Sequence, residues 1–257
     1  MQRTDNHPAS YYVATAKGMA DYPELAGDER ADVCVIGGGF TGVSAALNLV
    51  EKGFDVVLLE AERIGFGASG RCGGLIGSGQ RKDVLEMEDL YGLERSRVLW
   101  DFAEAAKEEI QSRVKKHDIQ CDLQKGQLVG VHKRSYGDWP EELAGALAER
   151  YDYPHSRALD ATEAQEMVAT PTFLGGLWDA GAMVLHPLNY VLGLARAASE
   201  AGVRIYENSA VRWYTRKDPA DVKTRRGNVQ ASFVVLACNG YLGKLERRVA
   251  GKIMPIN

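Results

Sequence analysis

Ala31-Asp-Val-Cys-Val-Ile-Gly-Gly-Gly-Phe-Thr-Gly42 joins a nearly continuous apolar run to a cluster of glycines. The run Ala31–Ile36 has the pattern of a strand buried on both faces. A helical period follows over 41–52, with Val43, Ala46, Leu47 and Val50 on one face and Gly53 as the stop. Phe54–Glu60 is then a second short apolar strand that ends on an acid. Gly37, Gly39 and Gly42 stand at G-x-G-x-x-G spacing between strand and helix, the context in which that spacing signals a bound dinucleotide. Gly37 permits the tight turn, Gly39 a close backbone approach to pyrophosphate, and Gly42 close packing of helix on strand. The phosphates would meet unpaired N–H groups at the positive end of the helix. Glu60 can accept from both ribose hydroxyls, and its charge would repel a 2′-phosphate. The plainer alternative is a structural turn with Glu60 a surface acid, but strand, helix and acid in register favour the dinucleotide.

Outward from this unit, the 257 residues are 45% apolar and 26% charged, a balance that builds a packed core and excludes disorder. With 31 basic against 35 acidic side chains the net charge is -4, which leaves no basic footprint for nucleic acid. The apolar runs are far shorter than the ~18 residues of a membrane span. Met1–Pro8 has no apolar stretch of a secretory signal. Four cysteines without metal or disulfide spacing fit a reducing cytoplasm. The 28 glycines, about 11% of the chain against a usual ~7%, point to close backbone approaches. Residues 96–117 have helical spacing, as do those after Asp138, after Asp160 (with capping-box spacing to Glu163) and after Pro187. Ile119–Leu123, Gln127–His132, Gly175–Trp178, Ala182–His186, Val203–Tyr206, Ser209–Tyr214 and Gly227–Cys238 have strand patterns. The early alternation implies a parallel α/β sheet, and the middle of the chain a separate α+β insertion.

Residues 65–79 contain seven glycines and form a second loop, Arg63-Ile-Gly-Phe-Gly-Ala-Ser-Gly-Arg-Cys-Gly-Gly-Leu75 and beyond. Ala68, Leu75 and Ile76 are interleaved with the glycines, which suits a loop lining a large cofactor better than a solvated linker. An NAD-dependent dehydrogenase usually has little further glycine here. Gly37–Gly42, Leu58-Leu-Glu60 and Gly67–Gly74 together resemble the N-terminal half of the FAD-dependent D-amino-acid oxidase (glycine oxidase-like) family. Tyr11-Tyr12, Leu185–Ala195 and Val234–Gly243 narrow the resemblance to its bacterial gamma-glutamylputrescine-oxidising members.

The resemblance implies a Rossmann-like FAD-binding domain, a parallel sheet with helices, plus an incomplete α+β substrate domain. Its divisions would be an arm at 1–30, the FAD-binding βαβ and glycine-rich loop at 31–80, an insertion at 81–180, and a return to the FAD-binding domain at 181–257. By the same resemblance Gly37, Gly39, Phe40, Thr41 and Gly42 would hold the FAD pyrophosphate, and Glu60 the adenosine ribose. Ser69, Gly70, Arg71, Cys72, Gly73 and Gly74 would line the ribityl chain and flavin ring. Val211, on the strand after the 187–201 helix, would meet the adenine through its backbone, and Ala237, Asn239 and Gly240 would close over the cofactor. The implied reaction is oxidation of a C–N bond of an amine or amino acid, by hydride transfer to the flavin, with oxygen as acceptor.

Two departures from the family stand out. Cys72 replaces the usual Asn, a poorer hydrogen-bonding group. Relatives also continue beyond the segment Lys252-Ile-Met-Pro-Ile-Asn257, so a cofactor-binding remnant without turnover is the alternative. No catalytic residue is assigned and no metal site is expected. His186, before Pro187, is read as a structural residue at a helix start, and Cys238 as a small core residue.

Overall fold

The computed structural model describes residues 7–254. Met1–Asn6 and Pro255–Asn257, parts of the expected arm and of the final segment, lie outside the described residues. In chain order the elements are α1 (Tyr11–Ala14), β1 (Gly27–Ile36), α2 (Phe40–Glu51), β2 (Val56–Leu59), β3 (Leu75–Ile76), α3 (Val84–Tyr91) and α4 (Leu93–Lys116). There follow β4 (Gln124–Val131), α5 (Trp139–Arg150), β5 (Ser156–Leu159), α6 (Ala161–Val168), β6 (Gly175–Val184) and α7 (Pro187–Glu200). The chain closes with β7 (Arg204–Tyr206), β8 (Trp213–Tyr214), β9 (Ala220–Lys223), β10 (Gly227–Leu236) and α8 (Arg247–Ala250). These fall into two compact units: one runs to Cys72 and includes Val114–Cys121 and His186 onward, the other comprises Gly73–Arg113 and Asp122–Leu185.

The first unit is built on a six-stranded sheet of order β7-β2-β1-β10-β9-β8. β7, β2, β1 and β10 run parallel, and β9 and β8 add antiparallel. All four residues of β2 are buried, as are Val33–Ile36 of β1, because both faces of these central strands are covered. Leu25, Cys34, Ile36, Val57, Leu59, Val222, Val229 and Ala231 form the core cluster of this sheet. α2 packs on β1, β2 and α7. Chain order reverses at β1, whose neighbours are β2 on one side and β10 on the other. Open α/β sheets bind ligands at such a reversal, beyond the carboxyl ends of the strands.

Two glycines set the turn after β1. Gly37 has φ +115°, and a Cβ there would lie 2.6 Å from the Ala237 carbonyl oxygen. A Cβ on Gly42 would lie 1.8 Å from the Gly37 carbonyl oxygen, so α2 starts directly against the turn that precedes it.

The described part of the stretch expected to be an arm, 1–30, is bound to this unit. Gly27–Arg30 belongs to β1, in parallel register with Gly227–Gln230, and Leu25 is 1% exposed. Polar side chains hid this half of the strand from the apolar reading. Glu207, also 1% exposed, pairs with Arg63 Nε at 3.0 Å and accepts N–H bonds from Ile64 at 2.8 Å and Tyr22 at 3.4 Å. Arg63 reaches on to Asp21 at 2.7 Å and to the Ala20 carbonyl at 3.0 Å. His186 is the N-cap of α7: Nδ1 accepts the Asn189 N–H at 3.1 Å, and Nε2 meets Thr15 Oγ1 at 2.9 Å.

The second unit has a sheet of order β3-β6-β4 with β5 also on β6, all pairs antiparallel. Val84, Trp100, Leu143, Leu147, Tyr151, Tyr153 and Leu177 form its core. Lys107, 5% exposed, is held inside by Glu104 at 2.6 Å and Ser78 at 2.7 Å. The expected capping box forms, Asp160 and Glu163 exchanging bonds of 2.9 and 3.1 Å.

Several expectations are corrected here. Gly175–Trp178 and Ala182–His186 are not two strands: one strand, β6, runs through 175–184. Asp179 interrupts its apolar pattern, yet Oδ1 accepts from Tyr153 Oη at 2.6 Å and from the Gly181 and Ala182 N–H groups. Ile119–Leu123 is irregular rather than a strand, with Asp118 before it and Asp122 within it at positive φ. The loop at 65–79 includes β3, which pairs with Met183 and Val184. That pairing draws 73–80 and 181–185 into the second unit, instead of dividing the chain after 80 and 180.

Two substitutions test this packing. Gly42→Ala should destabilise by about 3 kcal/mol or prevent folding, because the obstructing atom is backbone and cannot yield; urea melts measure it. Arg63→Met should cost about 3–5 kcal/mol, since Glu207 would stay buried without its cation.

Candidate cofactor site

At the carboxyl ends of β1, β2 and β10 a cleft of ≈ 360 Å³ opens in the first unit, within the size range of small-molecule sites. One wall is the turn Gly37-Gly38-Gly39, and another is Glu60-Ala61-Glu62 beyond β2. Glu60 Oε2 accepts the Gly38 N–H at 2.5 Å, and Oε1 accepts the Glu62 N–H at 3.0 Å. The acid is thus bonded to the glycine turn across 22 residues of chain. A carboxylate has about four lone-pair positions, so it retains acceptor capacity for hydroxyls. Burial pushes the Glu60 carboxyl above its ordinary range and the Glu62 charge adds to this, while the N–H groups of Glu62, Gly38 and Ala61 pull it back.

The glycines of the turn have neighbours that explain them. A Cβ on Gly38 would lie 2.6 Å from Ile64 Cδ1 and 3.0 Å from Glu60 Oε2. A Cβ on Gly39 would lie 2.8 Å from Ser69 Oγ, the atom that accepts the Phe40 N–H at 3.0 Å. Ser69 therefore sits over the N-terminus of α2, where first-turn N–H groups lack partners inside the helix. Positive charge at a helix start and N–H groups without helix partners suit such an end to an anion.

Of the residues singled out from sequence, Gly37, Gly39, Glu60, Ser69, Val211, Ala237 and Asn239 line this one cleft. Phe40, Thr41 and Gly42 form the first turn of α2 beside it, the Phe40 ring lying 5.6 Å from that of Tyr190. Gly70 packs inward instead: a Cβ there would lie 2.1 Å from the Gly65 carbonyl oxygen. Arg71 is exposed, donates to the Gly67 carbonyl at 3.1 Å and to Tyr241 Oη, and lies 5.8 Å from the Phe66 ring centre. Cys72 is exposed, with Sγ 3.9 Å from the Ser69 carbonyl oxygen. Gly73 and Gly74 fall in the second unit, where the Gly74 carbonyl accepts the Leu185 N–H at 3.0 Å. Gly240 lies in the single 3₁₀ turn Asn239–Leu242 and does not line the cleft.

Val211 reaches the cleft from an irregular segment, not from the expected strand, because Ser209–Tyr214 is β-structured only at Trp213–Tyr214. The Ser209 N–H bonds the Glu60 carbonyl at 2.8 Å and holds that segment in place. Ala237 follows β10, its N–H bonded to the Ile36 carbonyl at 2.8 Å.

Sequence reasoning passed over Gly38, Glu62, Phe66, Cys238 and Tyr241, all of which line the cleft. Gly38 occupies a variable position of the fingerprint, and only the Glu60 contact reveals its role. Tyr241 closes the far side, where Arg71 from the second loop meets it. Cys238 borders the cleft, so it is not simply a core residue; burial and then the nearby Glu60 charge push its thiol upward. Among the described residues no group of three or more His, Cys, Asp or Glu is placed to hold a metal. No described helix is long and apolar enough to cross a membrane.

Comparison with known proteins agrees with this geometry. The family described as FAD dependent oxidoreductase matches residues 32–257. The gamma-glutamylputrescine oxidoreductase of Escherichia coli (strain K12) is 40% identical over 251 residues, which cover 97% of this chain and 58% of that protein. The chain therefore spans less than two thirds of the length of this relative. Among solved structures, L-amino acid deaminase from Proteus myxofaciens aligns with TM-score 0.72 at 24% identity, over 94% of this chain and 52% of its own. Glycine oxidase from Geobacillus kaustophilus aligns with TM-score 0.68 at 24% identity, over 86% and 58%. At that identity these two establish shared fold alone.

If Glu60 receives the cofactor's ribose, its titration makes FAD affinity pH-dependent. A folded-state pKa raised above the unfolded value means the fold favours protonated Glu60; that contribution is full below the unfolded pKa and is lost as pH rises through the folded one. The ionised form, with all its lone pairs free to accept, is the better partner for ribose hydroxyls. FAD affinity should therefore fall on acidification, beginning at a higher pH than the ~4.3 of an ordinary glutamate would allow. Fluorescence titration of FAD from pH 8 downward measures this, and Glu60→Ala should weaken binding by about tenfold or more.

Proposed function

The chain belongs to the family of FAD-dependent oxidoreductases, and from that premise we propose that it binds FAD in the cleft at the carboxyl ends of β1, β2 and β10 and serves oxidation of an amine. The proposed substrate class is gamma-glutamylputrescine or a related amine or amino acid. The 40% identity to the E. coli enzyme supports the substrate class. The observation that carries the cofactor reading is the bond from the Gly38 N–H to the Glu60 carboxylate.

The residues present fit the group. The lack of side chains at Gly37–Gly39 lets Ala237, Glu60 and Ser69 close around the turn, so that its backbone borders the cleft directly. In this reading first-turn amides of α2, with the hydroxyl of Ser69 beside them, hold the diphosphate. Glu60 accepts from the ribose hydroxyls, and the backbone near Val211 borders the adenine. Ala237 and Asn239 flank the opposite wall. When bound, FAD would supply the redox chemistry, acting as two-electron acceptor for oxidation of the C–N bond with oxygen as the proposed final acceptor. The protein's share is to orient the cofactor and to set the charge around it. Tyr241, which lines the cleft, accepts from Arg71, and both are largely exposed.

The visible spectrum tests the proposal in two stages. The purified chain supplied with FAD should turn yellow and keep its colour through gel filtration; colourless protein would sink the cofactor assignment. Gamma-glutamylputrescine added without oxygen should then bleach the flavin band. A yellow protein that stays yellow would overturn the substrate assignment and favour a chain that binds cofactor without turnover.

A further inference from the structure

Glu60, Ala61 and Glu62 line one side of the cofactor cleft, and Ala210 and Val211 line another. The two walls adjoin because residues 206–209 are bonded along 60–64. The Glu60 N–H donates to the Tyr206 carbonyl at 2.8 Å. The N–H groups of Asn208 and Ser209 donate to the carbonyls of Glu62 and Glu60 at 2.9 and 2.8 Å. Between them, the Glu207 side chain takes the Ile64 N–H at 2.8 Å and stands 3.0 Å from Arg63 Nε. Neither Glu207 nor Arg63 lines the cleft itself.

Ile64 extends this arrangement to the glycine turn. A Cβ on Gly38 would lie 2.6 Å from Ile64 Cδ1, and the next residue, Gly65, donates its N–H to the Gly38 carbonyl at 3.0 Å. The turn that bonds Glu60 is therefore held at its carbonyl by the loop that Glu207 fixes. A buried ion pair is weak evidence for stability, since apolar side chains of similar volume often serve as well. What this pair adds is direction. Oε1 of Glu207 has the Ile64 N–H as donor, while Oε2 faces Arg63 Nε and, at 3.4 Å, the Tyr22 N–H. The other acid on Arg63, Asp21, is 73% exposed, where an ion pair contributes little, so Glu207 is the partner that orients the guanidinium.

We propose that Arg63 and Glu207 are positioning residues of the cofactor site, acting through Ile64 and the 206–209 segment to fix the ribose wall against the adenine wall. The proposal rests on the FAD reading above and concerns the adenosine end of the cofactor. Binding groups must be held to within about 0.5 Å by the residues behind them, and affinity falls when that support loosens.

Charge and position make opposite predictions for Glu207→Gln. The diphosphate of FAD is anionic, so removal of a nearby negative charge would by itself strengthen binding. The amide, however, sets an NH₂ group against a donor whichever way it is turned, because both carboxylate oxygens face N–H groups. The side chain must then move, and the walls with it, so positioning predicts weaker binding.

Fluorescence titration of FAD into the full chain, with ADP as competitor, tests this; ADP shares the adenosine and diphosphate of FAD. Glu207→Gln, folded by circular dichroism, should weaken FAD and ADP by the same factor, about tenfold. Arg63→Lys keeps the cation but loses the fork that reaches Asp21 and the Ala20 carbonyl, and should weaken both by about threefold. The proposal is overturned if folded Glu207→Gln binds FAD as tightly as the parent or more tightly, or if FAD weakens and ADP does not. Should Glu207→Gln fail to fold, Arg63→Lys decides on the same terms. A parent chain that binds no FAD would instead overturn the cofactor reading itself, and this proposal with it.

Discussion

Two backbone N–H groups, from Gly38 and Glu62, converge on the carboxylate of Glu60, and the cofactor cleft is arranged around that convergence. The bond ties the turn after β1 to the end of β2, strands that are already neighbours in the sheet. It also holds a charge where burial disfavours it. A carboxylate kept partly desolvated, with acceptor capacity left over, is suited to neutral hydroxyl donors.

The second constraint is steric and falls on backbone. Gly37 needs a left-handed φ, and Gly42 leaves no room for even one methyl group over the Gly37 carbonyl. Such positions are legible in a sequence because a single residue type satisfies them. The βαβ order, the acid at the end of the second strand and the apolar central strands were legible for a similar reason: period and residue type are local properties. The parallel pairing of β10 with β1 agrees with the apolar run Phe233–Ala237, which had no other face to occupy.

Other features depend on partners far apart in sequence. Nothing around Glu207 announces a buried ion pair with Arg63, and residues 1–30 read as a polar arm. The second glycine loop looked uniform in composition, yet its members separate in space. Ser69 caps α2, Gly70 packs inward, Arg71 turns to Tyr241, and Gly73 and Gly74 join another unit. Asp179 read as a break between two strands, whereas its side chain satisfies two backbone N–H groups and lets one strand continue.

The amino-acid order alone determined the α/β class, the strand–turn–helix with its glycine fingerprint, the acid beside it, and the family. Each rests on short-range rules of periodicity or on backbone space that only glycine supplies. Tertiary structure alone decided which glycines border the cleft and which merely pack, how the polar N-terminal stretch is secured, and where the two units divide. Those outcomes follow from hydrogen bonds, ion pairs and close contacts between residues tens to hundreds of positions apart, whose pairing no local pattern encodes.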